Sequence, residues 1–362
     1  MQKKNILILY AAVGHGHKKI AFNIAAALEL DGHTITLKNI LEVQSGFLSE
    51  KGTSVYLSIV RRIPGLWSFF YLNPIFLFLV WPFRMIPAAF NNKKVKAALE
   101  ESDYDLVICT QITASTILSY LKRTGYFKKK FVTTFSDFHL HRFWVYKNAD
   151  MFLANIDEQK EEMVSMGYDP KKIAVCGITL QPRPNITKAD MRMKLGIEQN
   201  SKVALIFGGS LGYGFGETTI EDTLQSADIA LVVCGGNEEL YERLQKEYGN
   251  HPRVKLFGYI DNIQELYAAS DLGVCKPGGL TTTECLQWGL PIIANSFLPG
   301  QEELNFVYLL KNNLIVDARK NLAELVRKEF ETREFAEQLK TNPNLAKVVG
   351  DGHVVREAIG NL

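Results

Sequence analysis

The sequence predicts an α/β protein with two tandem domains, each built on a parallel sheet with helices on both faces. Three observations predict this fold. Continuous apolar runs of strand length alternate with amphipathic helical segments, and the pattern begins twice along the chain, each time with a strand that leads into a glycine-rich turn. The length of 362 residues is also that of two domains of ordinary size.

The first half begins with the apolar strand Asn5–Tyr10, which leads into the turn Gly14–His17. Beyond the turn, Ile20, Ile24 and Leu28 recur at helical spacing. Further apolar runs predict strands at residues 34–37, 106–110, 131–134, 151–154 and 173–176. Strands that alternate with helices in this way pair in parallel.

The second half repeats the pattern, with a strand at 202–207, a glycine turn at 208–212 and a second strand at 229–234. Runs at 254–257 and 272–275 predict two more strands. Two prolines within Gln181–Pro184 indicate the linker. We therefore expect domains at 1–182 and 183–340, and a segment at 341–362 that packs back on the first domain. The carboxyl ends of the strands, where ligands bind in such sheets, are expected to face each other across a cleft.

One apolar segment departs from the pattern. Ile63–Phe83 contains no charged residue, and as a single helix it would span about 31 Å, enough for a bilayer core. Three prolines interrupt it, so three interpretations stay open: a buried helical hairpin, a transmembrane span, or an element that dips into a membrane. Its aromatic residues and flanking arginines favour the third. The candidate membrane contacts are Arg61, Arg62, Trp67, Phe70 and Trp81.

Charge is distributed unevenly between the halves. Residues 1–185 hold 23 Lys and Arg against 15 Asp and Glu, whereas residues 186–362 hold 18 against 24. The basic half suits an anionic membrane surface, while the acidic half and the absence of nucleic-acid-binding motifs argue against nucleic acid as a partner. The five cysteines are scattered in apolar runs, and the N-terminal apolar run is too short for a secretory signal. We expect a cytoplasmic protein that is peripheral on the cytoplasmic face of the cell membrane.

The second half contains a further glycine motif, which follows the strand at 272–275. Pro277-Gly278-Gly279 predicts a tight turn, and Thr281–Trp288 predicts a helix whose N-terminal amides could bind phosphate. Glu284 would lie one turn into that helix. Its carboxylate either accepts hydrogen bonds from the two hydroxyls of a ribose or complements the helix dipole, and spacing alone leaves both open.

These motifs resemble those of the MurG-like and monogalactosyldiacylglycerol-synthase-like glycosyltransferases. The stretch Lys276–Glu284 carries the resemblance, together with Gly289–Ile293, Pro299–Glu302 and the loop Gly14–His17. The middle segment Phe135–Trp144 is similar to the bacterial processive diacylglycerol glucosyltransferases in particular. The motifs occur in the family's order over residues 5–310.

The resemblance implies a GT-B fold, with two Rossmann-like domains, and inverting transfer of glucose or galactose from a UDP-sugar to diacylglycerol or a glycosyl-diacylglycerol. The UDP-sugar is a substrate, and neither a cofactor nor an active-site metal is expected. The resemblance also implies which residues bind the donor. Glu284 would contact the ribose, residues 278–281 the diphosphate, residues 257–260 the uracil, and residues 301–302 the sugar hydroxyls. The implied donor-site residues are Gly16, Gly208, Gly209, Ser210, Phe257, Ile260, Gly278, Gly279, Leu280, Thr281, Glu284, Gln301 and Glu302.

His17 stands where the family has its candidate catalytic histidine, and Asp137 and His141 stand in the motif that lines the acceptor side, near Trp144. A histidine with a pKa near neutrality suits removal of the proton from an acceptor hydroxyl. His17 could instead only order the glycine loop, and Asp137 is then the next candidate for the base.

Three other functions stay open. The same donor site could serve a polyprenyl-linked or other lipid acceptor. A UDP-sugar 2-epimerase shares the two-domain plan but needs no apolar segment at 63–83. A non-catalytic nucleotide-sugar sensor would keep Glu284 and Gln301 and differ only in an unreactive His17.

Overall fold

A computed structural model describes residues 2–11, 15–40, 63–80, 83, 85–90 and 92–362. The chain divides into two compact units. The first contains residues 1–181, 299–301 and 346–362, and the second contains residues 182–298 and 302–345.

Strands β1 to β6 of the first unit form a parallel sheet in the order β2-β1-β3-β4-β5-β6. They span Asn5–Tyr10, Thr34–Asn39, Leu106–Cys109, Lys130–Thr134, Met151–Ala154 and Ile173–Val175, and the short β7 is Ile178–Thr179. Helices α1 to α7 span His15–Glu29, Pro64–Leu72, Pro74–Val80, Ile86–Phe90, Lys93–Glu100, Ile112–Arg123 and Asp157–Ser165. Strand order reverses between β1 and β3, which is where ligands bind in sheets of this kind.

The second unit has its own parallel sheet, in the order β10-β9-β8-β11-β12-β13. Its strands β8 to β13 span Val203–Phe207, Ile229–Val233, Val254–Phe257, Leu272–Cys275, Ile292–Ala294 and Val316–Asp317. Helices α8 to α15 span Lys188–Lys194, Glu217–Leu224, Glu238–Tyr248, Ile263–Ala269, Gly279–Gln287, Gln301–Lys311, Leu322–Thr332 and Glu334–Lys340. Strand order reverses between β8 and β11.

The last residues of the chain return to the first unit. After α16, Leu345–Val348, the short strand β14, Val349–Gly350, pairs in parallel with β7. The final helix α17, His353–Gly360, packs against α1, and Lys4 Nζ donates a hydrogen bond to the Ile359 carbonyl at 2.6 Å.

Burial explains why apolar runs mark the strands so well. Every residue of β3 and β8 is buried, as expected for parallel strands covered by helices on both faces. Each strand that the runs predict is present, with ends shifted by no more than two residues. The structure adds β7, β12, β13 and β14, each of two or three residues.

The apolar segment forms two short helices. Pro74 disfavours a helical conformation at Asn73, so α2 ends at Leu72, and Asn73 Oδ1 accepts hydrogen bonds from the first turn of α3. The interpretation of this segment as a buried hairpin, one of the three left open, is wrong, because Ile75 and Phe78 are 70% and 76% exposed and no residue of α3 is buried. Among the residues described, none of the helices combines the length and apolar character needed to cross a membrane.

Candidate functional site

The first switch point brings His17 and Thr110 together. His17 lies in the first turn of α1, just after β1, and Thr110 directly follows β3. His17 Nδ1 is 2.7 Å from the Thr110 carbonyl oxygen, and Thr110 Oγ1 donates in return to the His17 carbonyl at 3.1 Å. A carbonyl only accepts, so Nδ1 carries the proton and the Nε2 atom of the neutral ring keeps a free lone pair. The ring is therefore oriented and in the tautomer that a base at Nε2 requires.

Burial lowers the pKa of His17 below its ordinary value of 6.5. The Asp137 carboxylate acts in the opposite direction, followed by the hydrogen bond to Thr110, but burial is the largest effect. The His17 ring is therefore neutral at neutral pH, and its charged form is stabilised by Asp137.

Asp137 is 3% exposed and lies in the loop that follows β4. Its Oδ2 atom accepts hydrogen bonds at 2.7 Å from Ser136 Oγ and from Gln301 Nε2. Gln301 groups with the first unit, as do residues 299 and 300. The resemblance implies a sugar contact for Gln301, which stays a prediction; in this structure its side-chain amide donates to Asp137.

Two buried amides hold the main chain of this loop. Asn155 Nδ2 and Gln159 Nε2 each donate to the Asp137 carbonyl at 2.9 Å, and Gln159 Nε2 also donates to the His139 carbonyl at 2.7 Å. Gln159 Oε1 accepts from the Asn155 amide nitrogen at 2.7 Å. Both side chains are 1% exposed, so the loop that carries Asp137 is fixed by a closed, buried network.

The same loop is bound to α2 through an aromatic cluster. Tyr71 Oη is 2.8 Å from His139 Nε2, and the Tyr71 ring lies 4.5 Å from the His141 ring. Burial lowers the pKa of His141 to about 4, so this ring is neutral at neutral pH. Trp144 stacks on Phe135 at 6.0 Å and packs against the core. His141 and Trp144, predicted on the acceptor side, thus belong to the cluster that ties α2 to the Asp137 loop.

The other residues predicted for membrane contact are only partly within the described structure. Phe70 is half-buried, with its ring 4.7 Å from Phe76 of α3. Trp67 lies in α2, but its side chain is outside the description, and Arg61, Arg62 and Trp81 lie outside the described residues. Gly16, in the first turn of α1, has open space where a Cβ would stand.

The second switch point brings together the glycine turns after β8 and β11. Gly209 adopts a left-handed conformation, φ 67°, and an ideal Cβ on it would lie 3.8 Å from Thr281 Oγ1. Gly208 has no room for a side chain, since a Cβ there would lie 2.2 Å from the Tyr213 carbonyl. Ser210 is half-buried, and its carbonyl accepts from the Gly236 amide at 2.9 Å. Gly209 therefore lies close to the Thr281 side chain in the first turn of α12.

Helix α12 begins at Gly279, two residues before the predicted start, with Gly278 as N-cap and no side-chain cap. Gly279 and Leu280 are buried in its first turn, and Thr281 is half-buried. Glu284 therefore lies in the second turn, beyond the first turn in which a carboxylate complements the helix dipole most strongly. Its buried carboxylate accepts a hydrogen bond from Tyr267 Oη at 3.3 Å.

Lys276 and Glu302 form an ion pair beside these turns, with both side chains nearly buried. Glu302 Oε2 also accepts from the Leu298 amide at 2.9 Å. Phe257 and Ile260 are predicted near the uracil. Phe257 ends β10, Ile260 follows three residues later, and both are half-buried. Within the described parts of the chain, no group of three or more His, Cys, Asp or Glu residues is placed to hold a metal ion.

Several site residues were missed by the sequence analysis, namely Thr110, Tyr71, Asn155, Gln159, Tyr267 and the pairing of Lys276. Thr110 is 93 residues from its partner His17, and Gln159 is 22 residues from Asp137. Thr110 could have been found, because it is the last residue of a predicted strand, 106–110, whose carboxyl end lies at the switch point.

Two family models match the chain. Residues 17–180 match the family of monogalactosyldiacylglycerol (MGDG) synthase, and residues 219–344 match glycosyl transferases group 1. The chain is 28% identical over 350 residues to a processive diacylglycerol β-glucosyltransferase of Bacillus pumilus (strain SAFR-032), covering 94% of this chain and 90% of the relative. It is also 28% identical over 357 residues to monogalactosyldiacylglycerol synthase 3, chloroplastic, of Arabidopsis thaliana, covering 93% of this chain and 76% of the relative.

Solved structures share the fold at lower identity. The Anabaena protein HepE, in complex with UDP and glucose, has a TM-score of 0.57 at 16% identity and covers 99% of this chain and 98% of its own. A UDP-GlcNAc 2-epimerase from Neisseria meningitidis has a TM-score of 0.59 at 14% identity, and the match covers 99% of this chain and 100% of the epimerase. The comparisons confirm the resemblance to the monogalactosyldiacylglycerol-synthase-like glycosyltransferases. They also confirm the GT-B fold class with two Rossmann-like domains.

Proposed function

We propose that this chain, which is a hexosyltransferase, transfers glucose or galactose from a UDP-sugar to diacylglycerol or a glycosyl-diacylglycerol at the cytoplasmic face of the membrane, with inversion at the anomeric carbon. The relatives named for diacylglycerol and monogalactosyldiacylglycerol support this acceptor. The observation that carries the proposal is the exposed apolar surface of α2 and α3, joined through Tyr71 to the loop of Asp137.

The apolar surface of α2 and α3 consists of Phe69, Leu72, Ile75, Phe78, Leu79 and the nearby Phe83, all exposed. A contiguous set of large exposed apolar side chains marks a membrane or protein contact. The formal charge of the surrounding half is positive, which favours an anionic lipid surface. Tyr71, on α2, reaches His139 in the loop that also carries Asp137, so a lipid bound at α2 lies beside the acceptor motif.

His17 is the base in this proposal. The Nε2 atom takes the proton of the acceptor hydroxyl while that oxygen bonds to the anomeric carbon, and the bond to the phosphate oxygen breaks with its electron pair leaving on UDP. Asp137 stabilises the imidazolium that forms, consistent with its effect on the pKa of His17. In the second unit, Glu284 binds the ribose hydroxyls, and the N-terminal amides of α12, which begins at Gly279, bind the diphosphate.

A product assay tests the proposal. Purified protein is mixed with vesicles that contain diacylglycerol and, in parallel, with UDP-glucose or UDP-galactose, and the lipid extract is read by mass spectrometry. We expect hexosyl-diacylglycerol of β configuration from an α-linked donor, and a His17→Ala variant should form it at least a hundredfold more slowly.

Polyprenyl phosphate vesicles serve as the competing acceptor. Product on the polyprenyl carrier with none on diacylglycerol would reject the proposed acceptor. Free hexose without any lipid product would support the donor assignment alone. An α-linked product would reject the inverting mechanism.

A further inference from the structure

The ion pair between Lys276 and Glu302 lies in the second unit, where the proposed function leaves Lys276 without a role. The side chains are 11% and 12% exposed, so both charges are largely removed from water. Burying two charges is expensive, and an apolar pair of the same volume is often as stable. Stability alone therefore does not explain the pair.

The position of the ammonium indicates what else it does. Lys276 directly follows β11 at the switch point, and its Nζ atom lies 3.7 Å from the ideal Cβ position of Gly209 and 3.8 Å from that of Gly278. The ammonium thus stands beside both glycine turns. An anion that binds the free amides at the N-terminus of α12 comes within reach of Lys276.

A diphosphate competes with Glu302 for this ammonium. The carboxylate carries one negative charge, whereas the diphosphate of UDP carries at least two, and in a site shielded from water the larger charge attracts the ammonium more strongly. We propose that Lys276 leaves Glu302 for the diphosphate when the donor binds, and that the released Glu302 carboxylate then accepts hydrogen bonds from the sugar hydroxyls. The inference rests on the proposed function, because that function supplies the nucleotide-sugar donor.

This exchange gives both residues a part in transfer. Lys276 balances the negative charge that gathers on UDP as the bond between the anomeric carbon and the phosphate oxygen breaks. Glu302 becomes available to the sugar only when the diphosphate is in place, so recognition of the sugar depends on recognition of the phosphates.

Binding of UDP and of uridine, measured by calorimetry, tests the exchange without a sugar or a lipid. In Lys276→Gln, the Kd of UDP should rise at least tenfold while that of uridine changes less than twofold. In Glu302→Gln, UDP should bind as tightly as in the wild type or more tightly, because the competing carboxylate is gone. Lys194→Gln, which removes an exposed ion pair with Glu265 in the same unit, is the matched control and should leave both Kd values unchanged.

A Lys276→Gln/Glu302→Gln double variant removes both charges, so no unpaired charge stays buried. It should fold and still show the weakened UDP binding, which separates a lost phosphate contact from a damaged fold. Equal weakening of UDP binding by the two single variants would mark the pair as structural and overturn the inference. Unchanged UDP binding in Lys276→Gln would also overturn the inference. A wild-type protein that binds no UDP would overturn the donor assignment itself, and the inference with it.

Discussion

His17 has a fixed proton on Nδ1 and a free lone pair on Nε2, and this arrangement predicts its pH dependence. A base must be neutral, so kcat/KM falls as pH drops through the His17 pKa. Burial lowers that pKa, so the acid limb should lie below pH 6.5. In Asp137→Asn the neighbouring charge is lost, and the limb should move to still lower pH. Rates measured from pH 4.5 to 8 check this, and a limb that moves to higher pH would contradict it.

The sequence pointed to His17, Glu284 and the glycine turns because each follows a recognisable strand. It did not show what these residues contact. The partners of His17, Glu284 and Glu302 are Thr110, Tyr267 and Lys276, which are 93, 17 and 26 residues away along the chain. Such contacts arise only when the strands pair and the helices pack on the sheets, and Tyr267 and Glu284 both lie on helices. The spacing of residues along the sequence does not show which distant residues meet.

The loop between β4 and the short helix Arg142–Trp144 is fixed by Gln159 of α7. Gln159→Met removes the two hydrogen bonds that Gln159 donates and the one it accepts from the Asn155 main-chain amide, while the Asp137 carbonyl keeps the bond from Asn155 Nδ2. We expect this loss to lower the unfolding free energy by about 2–4 kcal/mol. We expect kcat to fall at least tenfold, because Asp137 loses its position, while the Kd of UDP stays unchanged. Steady-state kinetics, urea unfolding and calorimetry measure the three effects. Gln338→Met, on an exposed helix face, is the control and should alter none of them.

The strands with the clearest apolar signal in the sequence are those that are buried. The strands β3 and β8 were found because both their faces lie in the core, so their sequences are apolar throughout, and β1 is apolar and buried from Ile6 to Leu9. The segment 63–83 gave the same apolar signal, yet most of its described side chains are exposed or half-buried. Sequence hydrophobicity reports what a side chain avoids, and it does not distinguish a protein core from a lipid surface.

The apolar surface of α2 and α3 predicts how the protein binds membranes. Replacing Ile75 and Phe78 with serine removes two of its most exposed side chains, each contributing about 1.5–3 kcal/mol when transferred from water. The double variant should lose at least tenfold in affinity for vesicles of anionic lipid, measured by flotation, while UDP binding stays unchanged. Leu30→Ser, at an equally exposed position of the first unit, is the control. Flotation of the double variant equal to that of the wild type would exclude this surface as the membrane contact.

At the scale of the whole molecule, the chain builds its first unit from both of its ends. Residues 346–362 group with residues 1–181. During synthesis, the ribosome therefore completes the first unit only after it has made the residues of the second. Gly177 and Gly350 join the two parts where β7 pairs with β14, and an ideal Cβ on Gly350 would lie 2.2 Å from the Cys176 carbonyl. The close approach of two backbones explains why glycine occupies this position.

Gly350→Ala therefore tests whether the C-terminal segment stabilises the first unit. The added methyl group must displace β14 from β7, and we expect a loss of about 2–4 kcal/mol of unfolding free energy. Hydrogen exchange should locate the loss in α1 and β7, with β8 to β13 protected as in the wild type. Gly216→Ala, where a Cβ meets nothing within 4 Å, should change stability by less than 1 kcal/mol. Equal loss of protection in both sheets would mean that the units unfold as one, and that the C-terminal segment couples their stabilities.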